Sequence, residues 1–248
     1  MGIINVTPDS FSDGGKYLQH EKAIEHAKRL WQEGAEILDF GGESTRPGAK
    51  IVDEKEEIDR VIAPIEAIKK EIDAEISIDS RRATVVEKAL EAGANWINDI
   101  SGFEDPKMCY LAAKYDAKCC LMHMKGNPQN MQENPLEEES VVDEVLEFLK
   151  KRTENLLKAG LKKDKIYLDP GIGFGKTAEA NMALLFAIPK FKKLGFPLLI
   201  GLSRKSFLKK HLPLLDPLKA SLIMNAFCVH QGVEVLRVHD VAAFLAKT

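Results

Sequence analysis

Short apolar runs recur along this sequence, and each ends in a polar or ionisable residue that a turn follows. The residues that close the eight runs are Asn5, Asp39, Asp79, Asn98, His123, Asp169, Ser203 and His239. Short apolar runs bounded by turn residues are typical of strands buried in a parallel sheet. The sequence therefore predicts eight short strands, each with a polar residue at its carboxyl end.

Amphipathic segments with helical spacing separate these runs. In residues 54–72, for example, Ile58, Val61, Ile65 and Ile68 recur on one face, as expected for a helix packed on a core. Similar patterns predict helices over residues 21–33, 82–92, 106–115, 138–157, 178–191, 218–231 and 241–246. This alternation of strand and helix favours right-handed βαβ units and a parallel sheet.

The length of the chain fits one α/β barrel. It has 248 residues, and such barrels typically take about 250. The polar ends of eight parallel strands would converge on one mouth, where (β/α)8 barrels place their chemistry. We therefore predict a single-domain (β/α)8 TIM barrel over residues 1–248. An open, doubly wound sheet is the alternative, but eight strands with polar ends at one mouth favour closure.

Composition and charge narrow the range of partners. The formal net charge of −3 gives no sign of the basic stripe of nucleic-acid-binding proteins. No apolar stretch approaches the roughly 20 residues that a membrane span needs. Cations nevertheless recur near the predicted strand ends, at Arg46, Lys176, Arg204, Lys205 and Arg237. We therefore expect a small anionic ligand and neither nucleic acid nor membrane as a partner.

The four cysteines do not have the spacing of metal ligands. Cys119 and Cys120 are adjacent, and neighbours in a strand point to opposite faces, so both are expected to be packing residues. With no signal peptide in the sequence, reduced thiols in a cytoplasmic enzyme are the expectation.

Acidic and amide residues end three strands near the middle of the predicted order. Asp79, Asn98 and Asp169 are these residues. A buried carboxylate can accept two parallel N–H bonds from an aminopyrimidine edge, and an amide beside it can both donate and accept. One such residue alone could be a strand-end cap or an Asx turn. Three at one mouth predict a site for a flat, polar heterocycle.

The first and last predicted loops favour an anion and a metal. Residues 5–15 read NVTPDSFSDGG, and their amide and carboxylate oxygens suit Mg²⁺, which takes few protein ligands beside water and phosphate. At the other end of the chain, Arg237 and His239 lie two apart in a strand and so share a face. A metal, an arginine and a histidine around one spot favour a phosphate or pyrophosphate leaving group.

Three more loops follow predicted strands. Residues 39–48, DFGGESTRPG, form a polar loop that could close over an anion with Arg46. Residues 169–176, DPGIGFGK, match neither the dinucleotide motif nor a P-loop, and we interpret them as a turn that lets the backbone approach a ligand beside Phe174. Lys205 follows the seventh strand and could reach the mouth. His123 is expected only to line it.

Together these segments closely resemble the dihydropteroate synthase family of folate biosynthesis. The matching segments are residues 5–15, 41–48, 77–80, 98–100, 122–124, 169–176, 201–206 and 237–240. The resemblance implies that para-aminobenzoate displaces pyrophosphate from 6-hydroxymethyl-7,8-dihydropterin pyrophosphate, giving 7,8-dihydropteroate. It also implies a Mg²⁺ cofactor and a homodimer formed through late helices. A dissociative path, in which the carbon–oxygen bond breaks before the amine adds, is expected.

The resemblance also implies roles for individual residues. Those implied to hold the pterin are Asp79, Asn98, Asp169, Lys205 and Arg237. Those implied to meet the pyrophosphate are Asn5, Arg46, Arg237 and His239, with Asn5 also the Mg²⁺ ligand. Those implied to shape the aminobenzoate pocket, where sulfonamides compete, are Thr45, Pro47, Phe174 and Ser203. The catalytic set is Asp79, Asp169, Lys205 and Arg46.

Two other functions are compatible with parts of this pattern. A pterin-binding methyltransferase domain that serves a corrinoid partner would share the barrel and the Asp79, Asn98 and Asp169 trio. It would not need residues 203–206 or the Arg46 loop, and both are intact here. A catalytically silent pterin-binding module would not need the cations at the mouth. At its ends the sequence lacks the family's usual N-terminal hairpin and longer final helix.

Overall fold

Strands and helices alternate along the chain in a computed structural model that describes residues 1–6, 13–45 and 49–246, with side chains of the first helix from residue 18. The strands are β1 (Gly2–Asn5), β2 (Ile37–Gly41), β3 (Glu75–Asp79), β4 (Trp96–Asp99), β5 (Lys118–Met122), β6 (Ile166–Asp169), β7 (Leu199–Ile200) and β8 (Val235–Leu236). The helices are α1 (Asp13–Gln32), α2 (Glu54–Glu71), α3 (Ala83–Glu91), α4 (Pro106–Lys114), α5 (Glu138–Lys158), α6 (Ala178–Phe186), α7 (Ile188–Lys192), α8 (Phe207–His211), α9 (Pro217–His230) and α10 (Val241–Leu245).

The strands are parallel and follow one another in chain order around a ring. β1 to β6 form one continuous sheet, and β7 pairs with β8. Single parallel bridges connect the two sheets, from Leu168 to Leu198 on one side and from Val238 to Gly2 on the other. This order confirms the predicted (β/α)8 arrangement and excludes an open doubly wound sheet.

Residues alternate between the inside of the ring and the helices outside it. In β2, Leu38 and Phe40 pack in the large core shared with the helices, whereas Ile37 packs in a smaller cluster with Trp96 and Leu199. Cys119 and Cys120 obey the same rule, because Cys119 belongs to the large core and Cys120 to the small cluster. Both thiols are fully buried, which confirms the prediction that they are packing residues.

The helices cover the outside of the ring with one apolar face each. In α5, Val141, Val145 and Leu149 are buried at intervals of four residues, as the period of the helix requires. The opposite face of α5 is charged. Across the described ranges, no helix has a long enough apolar stretch to cross a membrane.

Several elements differ from the sequence prediction. α1 begins at Asp13, inside the predicted loop 5–15 and eight residues before the predicted helix start, and β7 and β8 end at Ile200 and Leu236, before Ser203 and His239. The helix predicted over residues 178–191 is two helices, since α6 ends at Phe186 and Pro189 lies in the first turn of α7. A proline inside a continuous helix would lose a hydrogen bond and clash with the preceding turn. The five-residue α8 was not predicted, because it is too short to show a helical period. β2 continues two residues past Asp39, to Gly41, which pairs with Asp79 of β3.

Candidate active site

A cavity of about 780 Å³ lies at the carboxyl ends of the strands. Its lining includes the predicted site residues Asn5, Thr45, Asp79, Asn98, Asp169, Phe174, Ser203, Lys205, Arg237 and His239. Arg46 and Pro47, which were predicted to meet the pyrophosphate and the aminobenzoate, lie outside the described residues. The strand-end pattern thus brings together every predicted site residue that the structure describes.

A guanidinium with two carboxylate partners forms the floor of the cavity. Arg237 follows β8, and its Nε donates to Oδ2 of Asp39 at 2.6 Å while its Nη2 donates to Oδ2 of Asp79 at 2.7 Å. Asn98 Nδ2 donates to the same oxygen of Asp39 at 3.2 Å. The register places Asn98 of β4 directly beside Asp79 of β3. The network therefore fixes the orientation of the side chains that face a ligand.

Burial changes the ionisation of this network. The pKa of the Asp79 carboxyl rises to about 7 because the group is buried, even though the Arg237 guanidinium favours its charged form. Burial alone would lower the pKa of Arg237, but the carboxylates of Asp39 and Asp79 outweigh it and raise that pKa. The guanidinium is thus permanently charged, while Asp79 titrates close to neutral pH.

Asp169 and Lys205 form a second charged group on the wall of the cavity. Asp169 ends β6, and its Oδ1 accepts a hydrogen bond from Gly171 N at 2.7 Å; burial raises the pKa of this carboxyl. Burial also lowers the pKa of Lys205 to about 8, while Asp169 acts in the opposite direction. The Lys205 ammonium lies 4.1 Å from the centre of the Phe174 ring, a cation–π contact. A ligand here would meet a cation and an aromatic wall together.

The loops after β7 and β8 are bonded to each other at the rim. Ser203 Oγ lies 3.0 Å from His239 Nδ1 and accepts the His239 backbone N–H at 3.2 Å. Next to them, the Arg204 guanidinium donates two hydrogen bonds to Asp240, at 3.1 and 2.6 Å. These contacts hold the serine of the predicted aminobenzoate pocket beside the histidine predicted to meet pyrophosphate.

A salt-bridge cluster holds the base of the loop after β2. Glu43 accepts hydrogen bonds from Val52 N at 3.0 Å, from Arg81 at 3.1 Å and from Arg82 at 2.9 Å. Burial alone would raise the pKa of Glu43, but the bonds from Arg82 and Val52 lower it, so the carboxylate is ionised. Arg82 also contacts Glu57. The cluster ties together the two ends of the segment that contains Thr45 and Arg46.

Three functional positions received no role from the sequence, and a fourth has a different role from the one expected. Asp39 was identified as a strand end, yet its contact with Arg237 joins residues 198 positions apart in the chain. Glu43 was seen only as a member of a loop and Arg82 only as a helix start. Lys176 was expected among the cations that meet an anionic ligand, but it is buried and bonded to His123 and Gly171. His123 does not line the cavity, contrary to expectation, because β5 ends one residue earlier and the ring is buried against Phe148.

The predicted metal ligand Asn5 is among the described residues. Asn5 ends β1, is exposed and lines the cavity. No group of three or more histidine, cysteine or acidic side chains able to hold a metal occurs in the part of the chain that the structure describes. This donor set does not fit a cage made of protein ligands alone. Mg²⁺ commonly keeps several waters and binds through one or two carboxylates plus substrate phosphates, so with the Asn5 amide as a ligand most of its coordination would come from water and phosphate.

Comparison with known proteins decides the family. Residues 1–239 match the family described as "Pterin binding enzyme". The chain belongs to the pterin-binding enzyme family. It is 47% identical over 247 residues to the dihydropteroate synthase of Synechocystis, covering 98% of this chain and 85% of that protein. The enzyme is therefore a transferase of the dihydropteroate synthase group, as the sequence motifs implied.

Solved structures of similar proteins agree with the fold. A dihydropteroate synthase from Clostridium difficile, solved in the presence of pteroic acid, superimposes with a TM-score of 0.89 at 42% identity, covering 99% of this chain and 92% of that one. The Xanthomonas albilineans enzyme with 4-aminobenzoic acid gives a TM-score of 0.90 at 40% identity, covering 100% and 89%. The barrel prediction is thus confirmed for the family as well as for this chain.

Proposed function

We propose that this enzyme condenses 6-hydroxymethyl-7,8-dihydropterin pyrophosphate with para-aminobenzoate by a dissociative path that Mg²⁺ assists. In this reaction the methylene carbon–oxygen bond breaks and pyrophosphate leaves with the electron pair. The amine nitrogen then bonds to the methylene carbon and loses one proton. The observation that supports the proposal most is the Asp39–Arg237–Asp79 network beside Asn98, since it presents anionic and amide groups to one heterocycle.

The pterin would bind against the acidic side of the cavity. Asp79 and Asp169 can accept N–H bonds from the aminopyrimidine edge, and Asn98 can donate and accept beside them. Their negative charge would stabilise the electron-poor ring that forms when the carbon–oxygen bond breaks. Arg237 would lie over the ring, and Lys205 would donate to its acceptor atoms.

The pyrophosphate would leave on the cationic side. Arg237 and His239 line the cavity there, and Arg46 belongs to the loop whose base Glu43 and Arg82 fix. Asn5 would hold Mg²⁺, which when bound would offset the charge that develops on the leaving group. His239 Nδ1 lies 3.0 Å from Ser203 Oγ. This contact orients the imidazole ring and thereby sets the direction of Nε2.

The aminobenzoate would enter between the Phe174 ring and Ser203. Both line the cavity, as does Thr45, and Pro47 of the same loop completes the proposed pocket. An arylamine is neutral at pH 7, so it can attack without a strong general base. Lys205, 4.1 Å from the Phe174 ring centre, is shared by the two halves of the site.

A direct assay tests the proposed reaction. We expect dihydropteroate and pyrophosphate in equal amounts from the two substrates with Mg²⁺, a large loss when a chelator removes it, and suppression by a sulfonamide. Equal turnover with and without Mg²⁺ would contradict the role of the metal. Pterin binding without product would favour a silent binding module, and methyl transfer to a corrinoid protein would favour the methyltransferase alternative.

The affinity for the pterin should depend on pH near neutrality. Because the Asp79 pKa is raised to about 7, acidification below that pH protonates the carboxyl and removes an acceptor for the ligand's N–H groups. The dissociation constant should therefore rise with falling pH, by up to about tenfold per pH unit below the pKa. Calorimetric titration of the pterin pyrophosphate between about pH 6 and about pH 8 measures it. In Asp79→Asn this rise should vanish, leaving only the opposite trend from Lys205, whose pKa of about 8 makes it more fully charged as the pH falls. A persisting rise would assign the titration to another group.

We also propose that two copies of this chain dimerise through α9. Ile223 and Phe227 lie four residues apart on this helix and so share a face. Ile223 is exposed, and Phe186 beside the helix is 65% exposed, with its ring 5.9 Å from that of Phe227. Exposed apolar side chains grouped on one helix face favour an interface. In sedimentation experiments the wild type should be a dimer and Ile223→Glu a monomer. Tyr110→Glu, at a 58% exposed aromatic residue on α4, is the control and should remain dimeric; a monomeric wild type would contradict the proposal.

A further inference from the structure

A buried lysine joins two loops of the site without a role in the reaction as described so far. Lys176 is 4% exposed, and its ammonium has four acceptors within hydrogen-bonding distance. The distances from Nζ are 2.8 Å to Gly171 O, 2.9 Å to Phe174 O, 3.0 Å to His123 Nδ1 and 3.3 Å to His123 O. A buried ammonium is stable only when its donors are satisfied. Here each donor has an acceptor, although burial still lowers the pKa of Lys176 to about 7.

His123 is fixed as a neutral acceptor by the same contact. An ammonium can only donate, so His123 Nδ1 accepts and the ring's proton lies on Nε2. Burial, with the Lys176 charge in addition, lowers the pKa of His123 to about 3. The ring also meets Phe148 edge-on, with 4.8 Å between the ring centres. The histidine is therefore a rigid part of the loop after β5.

The ammonium lies where the loops after β5 and β6 touch. At Gly171, which has a φ of 70°, an added Cβ would lie 1.7 Å from His123 O, so only glycine fits this approach. Leu136 N donates to Gly175 O at 2.9 Å, and Thr177 N donates to Leu136 O at 3.0 Å. These backbone bonds join the loops at one end, and Lys176 joins them at the other.

Phe174 lies inside the segment that Lys176 holds. Two of the four acceptors, Gly171 O and Phe174 O, belong to this turn, and Gln132 Nε2 reaches Gly173 O at 3.4 Å. The Phe174 ring in turn meets the Lys205 ammonium. The position of the Phe174 ring therefore depends directly on the contacts of the Lys176 ammonium. The positions of Asp79 and Asn98 depend on them less, because these two residues belong to strands.

We propose that Lys176 is a positioning residue for the aminobenzoate half of the site, acting through the carbonyls of Gly171 and Phe174 to hold the Phe174 ring against Lys205. The inference rests on the proposed function, because it assumes that the Phe174 wall receives the aminobenzoate. Its prediction is a selective one. Loss of the ammonium should weaken binding of the second substrate and leave the pterin pyrophosphate bound almost as before.

The test compares both substrates in Lys176→Met and Lys176→Gln, the latter keeping two N–H donors. We expect the KM for aminobenzoate to rise by about tenfold or more in Lys176→Met, the equivalent of one lost hydrogen bond to a charged group. The calorimetric dissociation constant of the pterin pyrophosphate should change by less than about threefold. Lys176→Gln should show a smaller rise in the same KM. Lys125→Met, at a lysine of the neighbouring loop that is 45% exposed, is the control and should match the wild type.

Three results would overturn the inference. They are an unchanged aminobenzoate KM, an equal loss for both substrates, and no difference between the methionine and glutamine variants. If Lys176→Met does not fold, the comparison is made with Lys176→Gln and with His123→Leu, which removes one acceptor and keeps the ammonium. An unchanged aminobenzoate KM or an equal loss for both substrates then counts against the inference. The wild type separates the two ideas, because absence of dihydropteroate formation there contradicts the proposed function itself.

Discussion

Replacing Asp79 with asparagine should leave the barrel folded and lower kcat by at least about 100-fold, comparable to the loss of one charged partner of a transition state. Asparagine keeps the shape of the side chain and one acceptor oxygen, so the contact with Arg237 can persist. What disappears is the negative charge beside the ring at the moment when the carbon–oxygen bond breaks. The loss should therefore appear in kcat, beyond the weaker pterin binding that the neutral side chain shares with the protonated carboxyl.

Steady-state kinetics with both substrates, together with a thermal melt, measure this effect. A matched control is Asp99→Asn on the adjacent strand, because Asp99 is fully buried and accepts from Ser101 N at 2.7 Å and Phe103 N at 2.9 Å, outside the cavity lining. That change should lower the melting temperature and leave kcat nearly unchanged. An Asp79→Asn variant with normal turnover would refute the proposed role of the carboxylate.

Replacing Arg237 with methionine should both inactivate and destabilise the enzyme. The substitution strands two carboxylates, Asp39 with no exposed side-chain area and Asp79 with 11%. Removing one partner from a buried ion pair typically costs about 3–5 kcal/mol, and we expect the free energy of unfolding to fall by about that amount. Urea unfolding followed by circular dichroism measures it, and turnover should fall at least about 100-fold because the same guanidinium faces the leaving group.

Two further variants separate the buried charge from a general effect of losing an arginine. Arg204→Met breaks an ion pair whose arginine is 57% exposed, and such pairs are worth about 0–1 kcal/mol. In the double variant Arg237→Met with Asp39→Asn, one of the stranded charges is gone, so part of the lost stability should return. A double variant no more stable than Arg237→Met would show that unpaired charge is not the cause.

The barrel and most of its mouth were predictable because strand residues alternate. Asp79, Asn98 and Asp169 each follow an apolar residue that packs outward, so their own side chains must face the interior of the ring. The apolar runs also gave the order of the strands, since parallel neighbours joined by helices follow the chain. These inferences use contacts that are local in sequence, and the structure confirms the positions that they give.

The residues that were missed depend on contacts between distant parts of the chain. Lys176 meets His123 across 53 positions, and Arg82 meets Glu43 across 39. Nothing in the local pattern distinguishes these cations from solvated ones. Asp39 was missed for another reason. β2 continues to Gly41, so the Asp39 carboxylate lies one layer deeper in the barrel than a strand-end residue would.

The strands of the ring are paired over different lengths, and the strands with the shortest pairing carry half of the site. β1 to β6 are continuously paired, whereas β7 and β8 pair over two residues each and meet their neighbours through single bridges. Segments with few backbone hydrogen bonds open at a lower free energy than the sheet around them. Asp79, Asn98 and Asp169 therefore stand on the stiff arc, while Ser203, Arg237 and His239 stand on the compliant one. The barrel can therefore hold the pterin rigidly on the continuously paired strands, while the strands beside the departing pyrophosphate can move more easily.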